Sequence, residues 1–221
     1  EKLPTLRQIK GAVVLVTGFG FTIEDSVDVI GILHDAPGIA LYDLNASCPN
    51  TAHGGMEFDI DAALLGDLID ECKKVARRPL MVKLSPNVTN IAHMATVAAG
   101  AGADAVSLVN TFRSLAIDVE TRKPRIANVT GGLSGPAIKP IAVRMVHEAA
   151  QAVTLPIVGM GGISCAEDAV EFLLAGATAV QVGTASYADP RAVENIANGL
   201  RRWCAAHEFP TVAELTGAAK L

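Results

Sequence analysis

Six short runs rich in β-branched residues punctuate the chain: AVVLVTG from Ala12, IALYDLN from Ile39, PLMVKLS from Pro79, AVSLVNT from Ala105, PIVGMGG from Pro156 and AVQVGT from Ala179. Each is nearly continuous in apolar residues, as a parallel strand covered on both faces must be. Between them, segments 60–76, 91–103, 137–153 and 166–177 carry apolar residues at helical spacing. Two of these helices close on AGADAV and AGATAV, which places Gly102 and Gly176 where a helix stops before the next strand. The pattern predicts an α/β fold of repeated βα units, hence a parallel sheet or barrel. The connection from Phe112 to Gly135 is too long for an ordinary βα loop, and such loops tend to be functional.

The polar residues choose between sheet and barrel. Gly18, Asn45, Lys83, Asn110, Gly161 with Gly162, and Gly183 with Thr184 all fall at or just past the C-terminal ends of the runs. That is where a TIM (β/α)8 barrel collects its chemistry, with the phosphate site after strands seven and eight. No GxGxxG or Walker loop supports a dinucleotide or P-loop reading. With GMGG and QVGT as strands seven and eight, AVVLVTG counts as the third. The chain 1–221 then reads as one partial barrel domain of about six βα units, strands three to eight. At roughly 30 residues per unit, about 60 residues of a whole barrel lie outside it.

Composition narrows the partners. Half of the 221 residues are apolar but only 4% are aromatic, so Ala, Val, Ile and Leu must fill the core. A net charge of −5 without single-sign blocks gives no footprint for nucleic acid or an anionic membrane surface. No run approaches the ~20 apolar residues of a membrane span. The four cysteines, Cys48, Cys72, Cys165 and Cys204, form no CxxC and have no zinc-type histidine spacing, which fits a reducing, cytoplasmic compartment. The expectation is a soluble protein acting on small molecules, with no metal.

The stretch NASCPN sets Cys48 at a presumed rim among Asn45, Ser47, Pro49 and Asn50. An isolated cysteine more often serves as a small buried hydrophobe. These neighbours favour a catalytic thiol, since a free thiol titrates near ~8.5 and can serve as a base in a closed site. Cys72, Cys165 and Cys204 sit in or at the start of helical patterns and read as structural. Lys83 interrupts an apolar strand, an expensive place for an ammonium unless it meets an anion or emerges at the strand end. Asn110 and Thr111 end the next strand and would share the rim, although turn formation alone would also explain them. The GMGG and VGT glycines, each followed by a helix start, suggest an anion nest. His53 reads as an exposed loop histidine, and Asp118, Glu120, Arg122 and Lys123 as a solvated lid or partner surface.

In order and spacing, NASCPN (45–50), GGMEFD (54–59), VKLSPN (82–87), SLVNT (107–111), AIDVETRKP (116–124), TGGLSGPAIKP (130–140), GMGGI (159–163) and QVGTA (181–185) resemble the class 1 dihydroorotate dehydrogenases. These are flavoprotein barrels of pyrimidine biosynthesis. AIDVETRKP and TGGLSGPAIKP are most similar to the class 1B catalytic subunit, which uses NAD through a partner carrying FAD and an iron–sulfur cluster. The resemblance implies oxidation of dihydroorotate to orotate on FMN, with Cys48 as the base at C5. It implies that Asn45, Asn50, Asn110 and Thr111 bind substrate. It further implies that Asn45, Lys83, Val109 and Gly135 contact the flavin, and that Gly161, Gly162, Gly183 and Thr184 hold its phosphate. A homodimer core within a heterotetramer is the implied assembly. A dihydropyrimidine dehydrogenase is a related alternative, with a similar SCP loop and substrates lacking the carboxylate. Because the family's first two strands are not matched, the chain as it stands is also expected to bind FMN poorly, and at the limit to be an inactive folding or interaction module.

Overall fold

The computed structural model describes residues 3–46 and 61–220. After a short helix α1 (Leu3–Leu6) come β1 (Val14–Gly18), α2 (Ile23–Ile32), β2 (Ile39–Asn45), α3 (Ala62–Val75), β3 (Leu80–Lys83), α4 (Ile91–Gly100) and β4 (Ala105–Leu108). The long connection follows as four short strands, β5 (Phe112–Ser114), β6 (Ile117–Asp118), β7 (Lys123–Pro124) and β8 (Gly131–Leu133). Then come α5 (Lys139–Ala152), β9 (Ile157–Met160), α6 (Ala166–Leu174), β10 (Ala179–Gln181), α7 (Ala185–Ala188) and α8 (Ala192–Ala206).

All six apolar runs are strands. They pair in parallel in the order β1-β2-β3-β4-β9-β10, so each crossover returns to the neighbouring place, as in a curled half-barrel. No described strand joins the outer edges of β1 and β10. Register sorts the two faces. Thr17 pairs with Asp43, Asn45 with Lys83, and Lys83 with Ser107, so these polar residues share the concave face. Leu80, Val82, Val106 and Leu108 point the other way and are fully buried under the helices.

That outer layer is closed by small residues. Ala95, Ala98, Ala142 and Ala149 have no exposed surface, and their short side chains let α4 and α5 lie close to the sheet and to each other. Both expected glycine stops are Schellman motifs. Gly102 (φ 92°) and Gly176 (φ 122°) donate to Ala99 and Leu173, and the following alanines donate to Ala98 and Phe172. The second stop sets the next strand close by: Phe172 is fully buried, and a Cβ on Gly159 of β9 would lie 2.6 Å from its ring.

Three elements are not among those read from the sequence. α2 has a capping box, with Thr22 accepting from the Asp25 amide at 3.1 Å and Asp25 accepting from the Thr22 amide at 3.2 Å. α8 follows the last strand and packs on α6 through Val170, Leu173 and Cys204. The long connection is an ordered pair of antiparallel ladders, β5 with β8 and β6 with β7. Asp118 accepts from the Thr121 amide at 2.8 Å, so the expected charged lid is the tip of a hairpin.

Candidate active site

The strand ends converge. Lys83 closes β3, is half-buried, and makes no ion pair or hydrogen bond with a described residue. A lysine placed so leaves its charge available to an anion. Asn45, directly across in register, accepts from the Asn110 amide at 3.4 Å. Asn110 in turn accepts from the Thr111 amide at 2.8 Å, so the three candidate polar residues form one chain of contacts. The β5–β8 ladder presses on it, since a Cβ on Gly132 would sit 2.2 Å from the Thr111 hydroxyl.

Beneath this rim is a carboxyl on the concave face. Asp43 is 3% exposed and accepts from the Thr17 hydroxyl at 2.8 Å. Burial pushes its pKa up, while Thr17 and the charge of Lys83 pull it partly back. Its second oxygen and the Ser107 hydroxyl are both buried on this face, and Ser107 adds the smallest of the downward pulls on the carboxyl.

The glycine turns lie across from Lys83. Gly161 (φ 122°) and Gly162 (φ 83°) follow β9, and Gly135 (φ 90°) precedes α5. Space is tight: a Cβ on Gly161 would lie 3.2 Å from Val109, and one on Gly162 would lie 2.8 Å from the Gly135 carbonyl. After β10, the Thr184 hydroxyl donates to Ser134 at 2.9 Å, joining the third turn to the Gly135 turn. The amides of Gly162, Ile163, Gly183 and Thr184 have no acceptor among the described residues. Successive backbone N–H groups in such turns are the kind of arrangement that binds anions.

Just ahead of α6 one carboxylate gathers the polar groups of the preceding loop. Asp168 accepts from the Ser164 amide at 2.8 Å, the Ser164 hydroxyl at 2.7 Å and the Cys165 amide at 3.1 Å. The other oxygen of Asp168 meets the Lys139 ammonium at 2.7 Å.

Burial alone would push the Asp168 carboxyl up, but Lys139 and the Ser164 donors outweigh it and hold it well below its ordinary value of 3.8. A carboxyl depressed in the folded state stabilises above its unfolded pKa and loses that contribution as pH falls through its folded pKa. The stability gap between the parent and Asp168→Asn is therefore expected to be full near pH 6 and to shrink below about pH 4. Urea midpoints at several pH values measure it, and a gap independent of pH would remove the charge from the account.

Lys83, Val109, Asn110, Thr111, Gly135, Gly161, Gly162, Gly183 and Thr184 all line one cavity of about 870 Å³. Asn45 reaches it through Asn110. Cys48, Asn50 and His53 lie outside the described residues. Three features were missed in the sequence. Asn87, within the VKLSPN motif, donates to the Thr111 carbonyl at 3.2 Å and accepts from the Arg113 amide at 2.9 Å, tying the β3 loop to the rim. Cys165, read as structural, is exposed on the cavity wall, whereas Cys72 and Cys204 are buried. α8 contributes Gly199, Arg202, Trp203 and Ala206, whose helical spacing was a legible signal.

The fold and site define a class: a parallel (β/α) barrel sector whose strand-end cavity is lined by glycine turns and a lysine. The sequence profile described as dihydroorotate dehydrogenase matches residues 3–203, and the chain belongs to that family. It is 53% identical over 220 residues to a protein of Solibacter usitatus named putative dihydroorotate dehydrogenase A (fumarate), covering all of this chain and 72% of that one. It is 49% identical over 218 residues to the dihydroorotate dehydrogenase B (NAD(+)) catalytic subunit of Pelobacter propionicus, covering 99% of this chain and 71% of that one. A Trichlorobacter lovleyi protein with the same B-type name is 46% identical. Among solved structures, a dihydroorotate dehydrogenase of Eimeria tenella in complex with ferulenol superposes with a TM-score of 0.74 at 22% identity. That match covers 89% of this chain and 57% of the other, and bears on the fold alone.

Proposed function

We propose that this chain is the catalytic part of a dihydroorotate dehydrogenase that oxidises (S)-dihydroorotate to orotate in pyrimidine biosynthesis, with FMN as cofactor. The carrying observation is 46–53% identity, extending over at least 99% of the chain, to proteins bearing that name. The described residues fit a flavin phosphate: four amides without an acceptor among the described residues belong to turns lining a cavity that also holds Lys83, which makes no ion pair or hydrogen bond with a described residue. Bound there, FMN would supply the two-electron acceptor for the hydride leaving C6 of the substrate.

The chain's own residues do the rest. Gly161, Gly162, Gly183 and Thr184 would hold the phosphate, with the amides of Gly162, Ile163, Gly183 and Thr184 as the donors left over among the described residues. Lys83 would set a positive charge beside the ring, which favours electron uptake there. Val109 and Gly135 would line the ring. Asn45, Asn50, Asn110 and Thr111 present neutral donors and acceptors to a planar pyrimidine, and Cys48 takes the proton from C5. The hydride and the proton leave adjacent carbons, which yields the double bond of orotate.

NAD is the proposed final acceptor, reached through a partner with FAD and an iron–sulfur cluster; the B-type names with "catalytic subunit" support it. The Solibacter name favours a second reading, direct reoxidation by fumarate. A homodimer core within a heterotetramer, in the cytoplasm, completes the proposal. Three free cysteines among the described residues support a reducing compartment, and no described helix is long and apolar enough to cross a membrane.

The test is anaerobic reduction of the flavin in the full-length gene product. Dihydroorotate is expected to bleach the flavin band while dihydrouracil leaves it intact, and fumarate alone is expected not to restore the colour. Bleaching by dihydrouracil would point to a dihydropyrimidine dehydrogenase instead. Rapid return of colour with fumarate would replace NAD as acceptor.

A further inference from the structure

Lys139 touches both sides of the anion nest. Its backbone walls the glycine turn: a Cβ on Gly162 would lie 3.0 Å from the Lys139 amide nitrogen and 2.9 Å from its Cβ. Its ammonium meets Asp168 at 2.7 Å and Glu171 at 2.6 Å on α6. Asp168 in turn holds the Ser164 and Cys165 amides, which come directly after the glycine turn. The segment from Gly161 to Cys165 is thus pinned at one end by the Lys139 backbone and at the other by the carboxylate that Lys139 pairs.

Charge points the same way. The donors of the nest are neutral amides, and the paired carboxylates behind them would oppose an incoming phosphate dianion if left uncompensated. Lys139 is 23% exposed and Asp168 10% exposed at the side chain, so solvent screens the pair only in part.

We propose that Lys139 is a positioning residue for the phosphate end of the site, holding the Gly161–Gly162 turn against the Gly135 turn and cancelling the carboxylate charge behind it. The inference rests on the reading of the nest as a flavin-phosphate site. It predicts an effect that depends on the phosphate group, which a purely structural ion pair would not give.

The experiment is a titration of FMN and of riboflavin, which lacks the phosphate, into the full-length gene product and its Lys139→Met, Lys139→Arg and Glu171→Gln variants. Flavin fluorescence reads binding and far-UV circular dichroism reads folding. With the fold intact, Lys139→Met is expected to weaken FMN binding by about 10–100-fold, the worth of a charge-assisted contact, and riboflavin by less than about twofold. Lys139→Arg keeps the charge and is expected to recover most of the loss. Glu171→Gln removes one arm and is expected to fall between parent and Lys139→Met. Loss of FMN and riboflavin by the same factor, or FMN binding by Lys139→Met within about twofold of the parent, overturns the assignment while leaving the phosphate reading in place. A parent that binds FMN no more tightly than riboflavin overturns both.

Discussion

In the Cys48→Ser variant of the full-length protein, flavin reduction by dihydroorotate is expected to slow by on the order of 10²–10⁴-fold at neutral pH, with FMN binding unchanged. The expectation comes from the chemistry of the base. A thiol with a pKa near ~8.5 supplies some thiolate at neutral pH, and closure of the site raises its effect. An alcohol supplies almost no alkoxide under the same conditions. The parent rate is therefore expected to rise with pH as the thiol ionises, while the Ser variant stays slow across that range. Stopped-flow absorbance of the flavin measures both. Because FMN is assigned to residues beyond Cys48, a variant that loses flavin altogether would show that Cys48 holds the site rather than working in it. Unchanged reduction kinetics would remove the residue from the mechanism.

Gly162→Ala is expected to cost roughly 3 kcal/mol or more of stability and to abolish tight FMN binding. The reasons are independent. At φ 83° a side chain strains the backbone, and the new Cβ would lie 2.8 Å from the Gly135 carbonyl and 3.0 Å from the Lys139 amide nitrogen. Both neighbours are backbone atoms, so relief requires the turns themselves to part, which is the change the nest can least tolerate. Gly183 supplies the contrast. It has no positive φ and nothing within 4 Å of its Cβ position, so Gly183→Ala is expected to stay within about 0.5 kcal/mol of the parent. Urea unfolding and an FMN titration compare the two. Equal behaviour of the variants would mean that the two turns do not differ in the way their geometry requires.

Much of the fold was legible because parallel strands and their covering helices leave local signatures. IALYDLN is the strand Ile39–Asn45 residue for residue, and the glycines of AGADAV and AGATAV terminate α4 and α6 as read. α2 went unread although its capping signal, Thr22 with Asp25, stands in the sequence. The hairpins between β4 and α5 went unread because their strands are two or three residues long, too short for alternation to register. Among the site residues, Lys83, Asn110 and the glycines of GMGG were conspicuous, being polar or flexible residues at the ends of apolar runs. Asp43 was concealed inside such a run, and Lys139 and Asp168 stand within helical patterns where nothing local marks their pairing.

By itself the amino-acid sequence determined the succession of βα units, the points where helices stop, and which residue types stand at the strand ends. All of these depend on neighbours a few positions away, and the periods of strand and helix record them. Only the tertiary structure decided that Lys83 and the glycine turns line a common cavity, that Asp168 gathers the Ser164 and Cys165 amides, and that Lys139 reaches across 29 residues to pair with that carboxylate. The physical reason is that sheet curvature and ion pairs between crossovers join side chains with no shared local period, and the energies involved depend on burial that exists only once the strands lie side by side.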